Sequence, residues 1–249
     1  MAASKQKLPV GELISSRVSD QPAVASRDEI ETLRAAADEG DGDALLDYAM
    51  FFRDGCRTKS GEVLVKRSTR KERELVERAV AAGNRYAHCY LADLLSAKGA
   101  SSAQMTKAVA LYRRGYQLGD VVAAFNCGVT YLNRERHRDA VKWFRLAAAR
   151  GDTSALLEVA RAELYGLGTP RKPAAAVAKL TRVSRATAIT TAPIDRESAM
   201  LVLANALMTG WGLPRDHAAG IKWLQRAAAL GSATARGYLA DEGMDAPTA

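Results

Sequence analysis

The stretch from Gly210 to Ala235 reads GWGLPRDHAAGIKWLQRAAALGSATA, and it determines how the rest of the chain is interpreted. Trp223 and Ala227 are four residues apart, which is the spacing of one face of a helix. Gly231 stands where a left-handed residue can end that helix without steric cost. Ser232 then offers a side-chain oxygen that can cap a second helix. The stretch therefore predicts a helix, a glycine corner and another helix.

The same corner, a glycine followed four residues later by an alanine, recurs along the chain. It occurs at Gly40/Ala44, Gly83/Ala87, Gly119/Ala123, Gly151/Ala155 and Gly231/Ala235. Ala199 continues the series, with Asp195 in the position of the glycine. Four residues after each alanine stands a larger side chain, and the residue after that is always Ala or Gly. This pattern predicts tandem helix pairs that repeat about every forty residues.

Two longer motifs are also repeated. GLGTPR at 166–171 returns as GWGLPR at 210–215, and the segment at 140–151 returns at 220–231 with its tryptophan in the same place. Through these motifs the chain resembles the Sel1-like repeat family, a relative of the tetratricopeptide repeats. The resemblance extends from about Asp28 to Asp241. It is weaker near the beginning, where the tryptophan position holds Leu33, Leu75 or Leu111.

The resemblance implies an all-α fold, a right-handed superhelical solenoid of about six antiparallel helix pairs that binds other proteins. We expect this solenoid to occupy residues 28–241 and to carry a basic inserted loop at about 55–70. Residues 1–27 are expected to form a disordered or irregular tail because they contain few large apolar side chains. Residues 242–249 form a short polar tail in the same interpretation.

Positive charge is concentrated in the insertion. The whole chain has a formal net charge of +8, and residues 56–73 alone carry +5. Their basic residues are Arg57, Lys59, Lys66, Arg67, Arg70, Lys71 and Arg73. They could form a solvated mobile loop or a surface that the scaffold presents to nucleic acid or an anionic membrane. Nucleic acid is the weaker possibility because aromatic side chains for base stacking are not interleaved with these charges.

A second surface is predicted from the corner alanines. If these alanines are buried, the residues three and six positions later point away from the core. We expect this stripe to be a solvated face or, as related solenoids imply, a concave groove for a protein or peptide. Its polar members are Asp47, Tyr90, Asp93, Asn126, Glu158, Arg161 and Asn205.

Residues for catalysis or metal binding do not form a recognisable pattern. His88, His137 and His217 have no Ser, Cys or carboxylate at a spacing that would complete a triad or a metal site. We therefore expect no enzyme activity, no cofactor and no metal. Cys56, Cys89 and Cys127 lie in different repeats, which favours a reducing compartment.

The leading hypothesis is a bacterial protein–protein interaction adaptor in signalling, secretion or envelope regulation. A specialised-secretion effector, or its partner, is an alternative, with the amino-terminal tail as an uncleaved signal. We expect a cytoplasmic location because no secretory signal and no apolar run near the roughly 20 residues of a membrane span are present. The last repeat lacks a polar capping helix, so self-association through this end is a further possibility.

Overall fold

The computed structural model describes residues 22–186 and 193–244, which form twelve α-helices and three short strands. The chain divides into two compact units, with the boundary between Gly119 and Asp120. Of the tails predicted at 1–27 and 242–249, residues 1–21 and 245–249 lie outside the described residues, as do residues 187–192.

The first unit contains five helices and all three strands of the described part. The helices are α1 (Arg27–Asp38), α2 (Gly42–Asp54), α3 (Thr69–Ala81), α4 (Arg85–Ser96) and α5 (Ser102–Gln117). The strands are β1 (Ala23–Val24), β2 (Cys56–Arg57) and β3 (Val63–Val65). Each helix packs against the helix that follows it in the unit.

The second unit contains seven described helices. They are α6 (Val121–Leu132), α7 (His137–Ala149), α8 (Thr153–Tyr165), α9 (Pro173–Arg185), α10 (Pro193–Thr209), α11 (His217–Ala229) and α12 (Ala233–Asp241). Consecutive helices again pack together, and α8 also contacts α10. The predicted all-α class of tandem helix pairs is therefore confirmed.

The corners have the predicted geometry. Their five glycines have positive φ angles between 82° and 99°. The residue after each glycine, Asp41, Asn84, Asp120, Asp152 or Ser232, caps the next helix by accepting a backbone N–H. The first helix is capped by Ser26, which forms a capping box with Glu29.

The Ala or Gly that stands five residues after each corner alanine packs in the core. Ala49, Ala92, Gly128, Ala160 and Ala204 are all buried, which lets neighbouring helices approach closely. The exception is Ala240 on α12, which is exposed. No described helix follows α12, so this face of the last repeat has no neighbour among the described residues.

The insertion differs from the predicted loop. Strands β2 and β3 pair antiparallel, and β1 adds to β2 in parallel. Cys56 and Val65 face inward and pack on Ile30 of α1, which explains why this segment folds into a hairpin. Since α3 begins at Thr69, the segment predicted as one loop is a short hairpin followed by a helix.

Candidate functional site

In the first unit, the predicted stripe contributes Asp47, Tyr90 and Asp93. Asp47 is half-buried on α2, and burial together with Asp43 and Asp41 raises its pKa to about 6. Tyr90 is half-buried on α4, whereas Asp93 is exposed. Asp93 is therefore more accessible to a partner than the half-buried Asp47 and Tyr90.

The hydroxyl of Tyr90 is used inside the fold. It donates to Glu72 on α3, which is buried with 4% of its surface exposed. Arg53 lies nearby and forms a two-point ion pair with Asp54, at 2.8 and 2.7 Å. Burial raises the pKa of both Glu72 and Tyr90. Tyr90 is thus part of a buried polar network that joins α2, α3 and α4.

Asp93 also has a hydrogen-bond partner inside the fold. Its Oδ1 accepts a hydrogen bond from the hydroxyl of Tyr112 at 2.5 Å. Tyr112 is fully buried on α5 and also lies 3.2 Å from the hydroxyl of Ser96. Asp93 therefore anchors a core tyrosine, in addition to any contact that its exposed surface makes.

In the second unit, Glu158 and Arg161 lie together on α8. Their ion pair has a length of 3.1 Å, and the side chains are 20% and 50% exposed. Tyr165 follows Arg161 by four residues, so all three lie along one side of the helix. The other predicted members, half-buried Asn126 and exposed Asn205, are on α6 and α10.

A small cavity of about 70 Å³ adjoins this ion pair. Apolar side chains from α6, α7, α8 and the loop after α8 line it, including Leu132, Phe144 and Leu167. Both Glu158 and Arg161 contribute to its wall. The cavity is thus bounded by aliphatic and aromatic groups and by one pair of opposite charges.

The two repeated loops present large apolar side chains beside this cavity and at the end of α8. Leu167 is 41% exposed, and Trp211, at the equivalent position, is 61% exposed. The ring of Trp211 contacts the ring of Tyr165 in a tilted arrangement, with centroids 4.7 Å apart. Glu158, Arg161, Tyr165, Leu167 and Trp211 are called the α8 surface below.

Glycines fix the position of both loops. A Cβ atom at Gly168 would lie 2.3 Å from the carbonyl carbon of His137, and one at Gly212 would lie 2.9 Å from Leu164. The loops therefore pack directly against neighbouring helices and hold the intervening Leu167 and Trp211 outward.

The glycines of both loops have positive φ angles, as turn residues do, but the side chains between them were not among the predicted site residues. The available signal was a large apolar residue between two glycines in both copies of the motif. Tyr165 was not selected because its partner, Trp211, is 46 residues further along the chain, in the loop after α10.

The Sel1 repeat model matches the chain four times, at residues 85–120, 121–152, 153–178 and 197–232, which together make up more than half of its 249 residues. The chain belongs to the Sel1 repeat family. Sel1 repeat proteins generally act as scaffolds for protein–protein interactions. No curated protein matches this sequence.

Solved structures show the same fold. A Sel1 repeat protein from Oxalobacter formigenes aligns with a TM-score of 0.58 and 19% identity, over 80% of this chain and 75% of that one. A protective antigen of uropathogenic Escherichia coli, described as having an SLR fold, aligns with a TM-score of 0.62 and 22% identity. The alignment covers 86% of this chain but only 44% of the antigen, so this chain spans less than half of the antigen's length.

The basic insertion lies outside the four matched Sel1 repeats, and its charges do not form one loop. Arg57 is on β2, Lys59 is in the turn of the hairpin, and Lys66 and Arg67 follow β3. The remaining three basic residues, Arg70, Lys71 and Arg73, are on α3. Predicting a single loop at 55–70 was therefore wrong, since the apolar side of β3 orders this segment.

In the described part of the chain, no group of three or more His, Cys, Asp or Glu residues could hold a metal ion. All three cysteines are buried and carry thiols that are not in disulfides, and burial raises the pKa of Cys56. Among the described helices, none combines the length and the apolar character needed to cross a membrane.

Proposed function

We propose that this Sel1 repeat protein is an adaptor that holds an extended protein segment against the α8 surface. The observation that carries the proposal is the contact between Tyr165 and Trp211, 4.7 Å apart, at the end of a helix face that also carries the Glu158–Arg161 pair. Exposed aromatic groups that are held rigidly are the usual anchors of protein interfaces. The adaptor activity would require no catalytic residue.

The chemistry of this surface indicates the partner segment. Leu167 and Trp211 can pack on aliphatic side chains, and the neighbouring cavity of about 70 Å³ can accept one small apolar group. Glu158 offers acceptors and Arg161 offers donors, which matches the N–H and C=O groups of an extended backbone. Because the two charges balance, we propose a segment that is apolar and carries no strong net charge.

The first unit contributes less to this function in our proposal. Tyr90 donates its hydroxyl to Glu72, and Asp93 accepts from Tyr112, so both groups already have partners inside the fold. Asp47, Asn126 and Asn205 remain proposed contacts at the edges of the binding face.

The cellular role is proposed from the same properties. Both similar structures come from bacteria, and this supports a bacterial adaptor in signalling, secretion or envelope regulation. Three buried thiols in separate parts of the fold agree with the reducing cytoplasm. The exposed face of α12 leaves self-association as a further proposed property of the last repeat.

The test begins with selection of binding peptides from a random display library on the full-length protein. Affinities of the selected peptide are then measured for the wild type, Trp211→Ala and Arg161→Ala. We expect the tryptophan variant to bind about tenfold or more weakly because it loses a central anchor. Arg161→Ala should weaken binding by a smaller factor.

Matched controls separate this surface from the rest of the second unit. Tyr238→Ala removes another aromatic side chain, 54% exposed on α12, and Arg182→Ala removes an exposed arginine on α9. Both variants should retain the affinity of the wild type. Equal losses in test and control variants, or full affinity in Trp211→Ala, would exclude the α8 surface as the binding site.

A further inference from the structure

Three basic side chains of the insertion line one cavity in the first unit. The cavity has a volume of about 430 Å³ and lies beside the hairpin, with Arg57, Lys66 and Arg67 in its wall. Small-molecule sites in proteins typically have volumes of about 300–1,000 Å³. The size of the cavity is therefore suited to a small ligand or to the head group of a larger one.

The hairpin explains why these three residues converge. Arg57 on β2 pairs with Val63 on β3, and Lys66 and Arg67 come directly after the end of that strand. The Nε atom of Arg67 donates to the carbonyl oxygen of Asp54 at 2.8 Å, which fixes its side chain at the cavity wall. Residues nine or ten positions apart in sequence are thereby brought to the same opening.

Asp54 is the one acidic residue among the described residues of the wall, and it does not neutralise this charge. The carboxylate of Asp54 is occupied by Arg53, which binds both of its oxygens at 2.8 and 2.7 Å. Among residues 22–186 and 193–244, no carboxylate forms an ion pair with Arg57 or Lys66. The cavity thus combines a defined volume with an excess of positive charge.

The other basic residues of the insertion are placed differently. Arg73 pairs with Glu77 at 2.9 Å, and the ammonium group of Lys71 lies 5.3 Å from the centre of the Phe52 ring. Lys59 and Arg70 are exposed and do not line the cavity. The +5 charge of the segment is consequently divided between a concave group and scattered surface positions.

We propose that this cavity binds a phosphate group, carried either by a small molecule or by a lipid head group. Guanidinium groups recognise phosphate oxygens through paired N–H donors, and a lysine adds a compact positive charge. This site is separate from the α8 surface and does not depend on the adaptor function. It gives the basic insertion a specific ligand in place of general attraction to polyanions.

The first experiment measures binding of inorganic pyrophosphate to the full-length protein by titration calorimetry. Arg57→Gln/Lys66→Gln removes two charges from the cavity, and Lys59→Gln/Arg70→Gln removes two from elsewhere in the same segment. We expect saturable binding by the wild type, at least about tenfold weaker binding by the cavity variant and a change below about twofold in the control. Thermal unfolding of each variant verifies that it remains folded.

The second experiment identifies the source of the phosphate. Vesicles of phosphatidylcholine, with or without phosphatidic acid, are sedimented with the wild type and with both double variants. Binding that requires phosphatidic acid and is lost only in the cavity variant supports the proposal with a lipid ligand. Selective pyrophosphate binding without vesicle binding supports it with a soluble ligand. Equal losses in the two variants, or no saturable binding of either probe, would overturn the proposal.

Discussion

The side-chain amide of Asn84 donates to Asp43 Oδ1 at 2.7 Å and thereby joins two helix corners that are 41 residues apart in the chain. Asn84 also caps α4, through hydrogen bonds from the backbone N–H groups of Tyr86 and Ala87 at 2.9 Å. One residue consequently ends a corner and connects consecutive helix pairs. Similar contacts in the second unit are Ser154 Oγ with Asp195 Oδ2 at 2.6 Å and Ser232 Oγ with Glu197 Oε1 at 2.6 Å.

Replacing Asn84 should therefore destabilise the protein more than the loss of a helix cap alone. We expect Asn84→Ala to lower the free energy of unfolding by about 2–3 kcal/mol, because a cap and a buried inter-repeat hydrogen bond are lost together. Ser101→Ala is the matched control, since Ser101 caps α5 with a capping box and is exposed. Its expected cost is about 1 kcal/mol. Urea denaturation measures both values, and equal costs would contradict a role for Asn84 in joining repeats.

Gly128 tests whether the position after each large core residue requires a small side chain. A Cβ atom there would lie 2.5 Å from the ring of Phe144 on α7. Gly128→Ala should therefore destabilise the protein by about 1–3 kcal/mol through overpacking. In Gly237→Ala, also within a helix, the new methyl group meets no atom within 4 Å, and stability should rise by about 0.5–1 kcal/mol. If both variants gain stability in thermal unfolding, the predicted close contact is absent.

Tyr90 tests whether a residue predicted to bind a partner instead stabilises the fold. Tyr90→Phe removes only the hydroxyl that donates to buried Glu72. We expect a loss of about 1–3 kcal/mol in unfolding free energy because the carboxylate is left without this donor. Peptide affinity at the α8 surface should remain unchanged. Unchanged stability together with weaker peptide binding would instead assign Tyr90 to the partner interface.

Asp47 should make stability depend on pH. Its pKa is raised to about 6 from the usual 3.8, so the folded state binds its proton more tightly than the unfolded state. Its favourable contribution is therefore complete below about pH 4 and is lost as the pH rises through about 6. Asp47→Asn should gain roughly 1 kcal/mol over the wild type at pH 7.5, after allowance for solvent screening, and less at pH 4.5. Urea titrations at the two pH values provide the measurement, and a gain of the same size at both would contradict this origin.

Much of the fold could be predicted from local chemistry. The glycine and cap of each corner act over a few residues, so Gly151 and Asp152 identify a helix boundary without any knowledge of the tertiary structure. The large and small residues after each corner likewise mark positions that are mostly buried, with exposed Ala240 and half-buried Tyr48 as exceptions. The hairpin was missed because its order depends on the contact of Val65 with Ile30, which are far apart in sequence.

The candidate site depended on contacts that spacing alone does not specify. Glu158 and Arg161 of the predicted stripe form an ion pair on one side of α8, because residues three apart are neighbours on a helix. The stripe gave no indication that Tyr90 is bonded to Glu72, since that partner comes from another helix. It also gave no reason to select Trp211, whose neighbour Tyr165 lies in the preceding repeat.

The sequence by itself determined that this chain is a series of helix pairs, because caps, glycine corners and small packing residues act locally and repeat with one period. Only the tertiary structure decided which polar groups are used internally and which remain at the surface. It also separated the basic residues that line a cavity from the other basic residues of the insertion. The physical reason is that hydrogen bonds, ion pairs and cavities depend on distances between side chains of different helices, which periodicity does not fix.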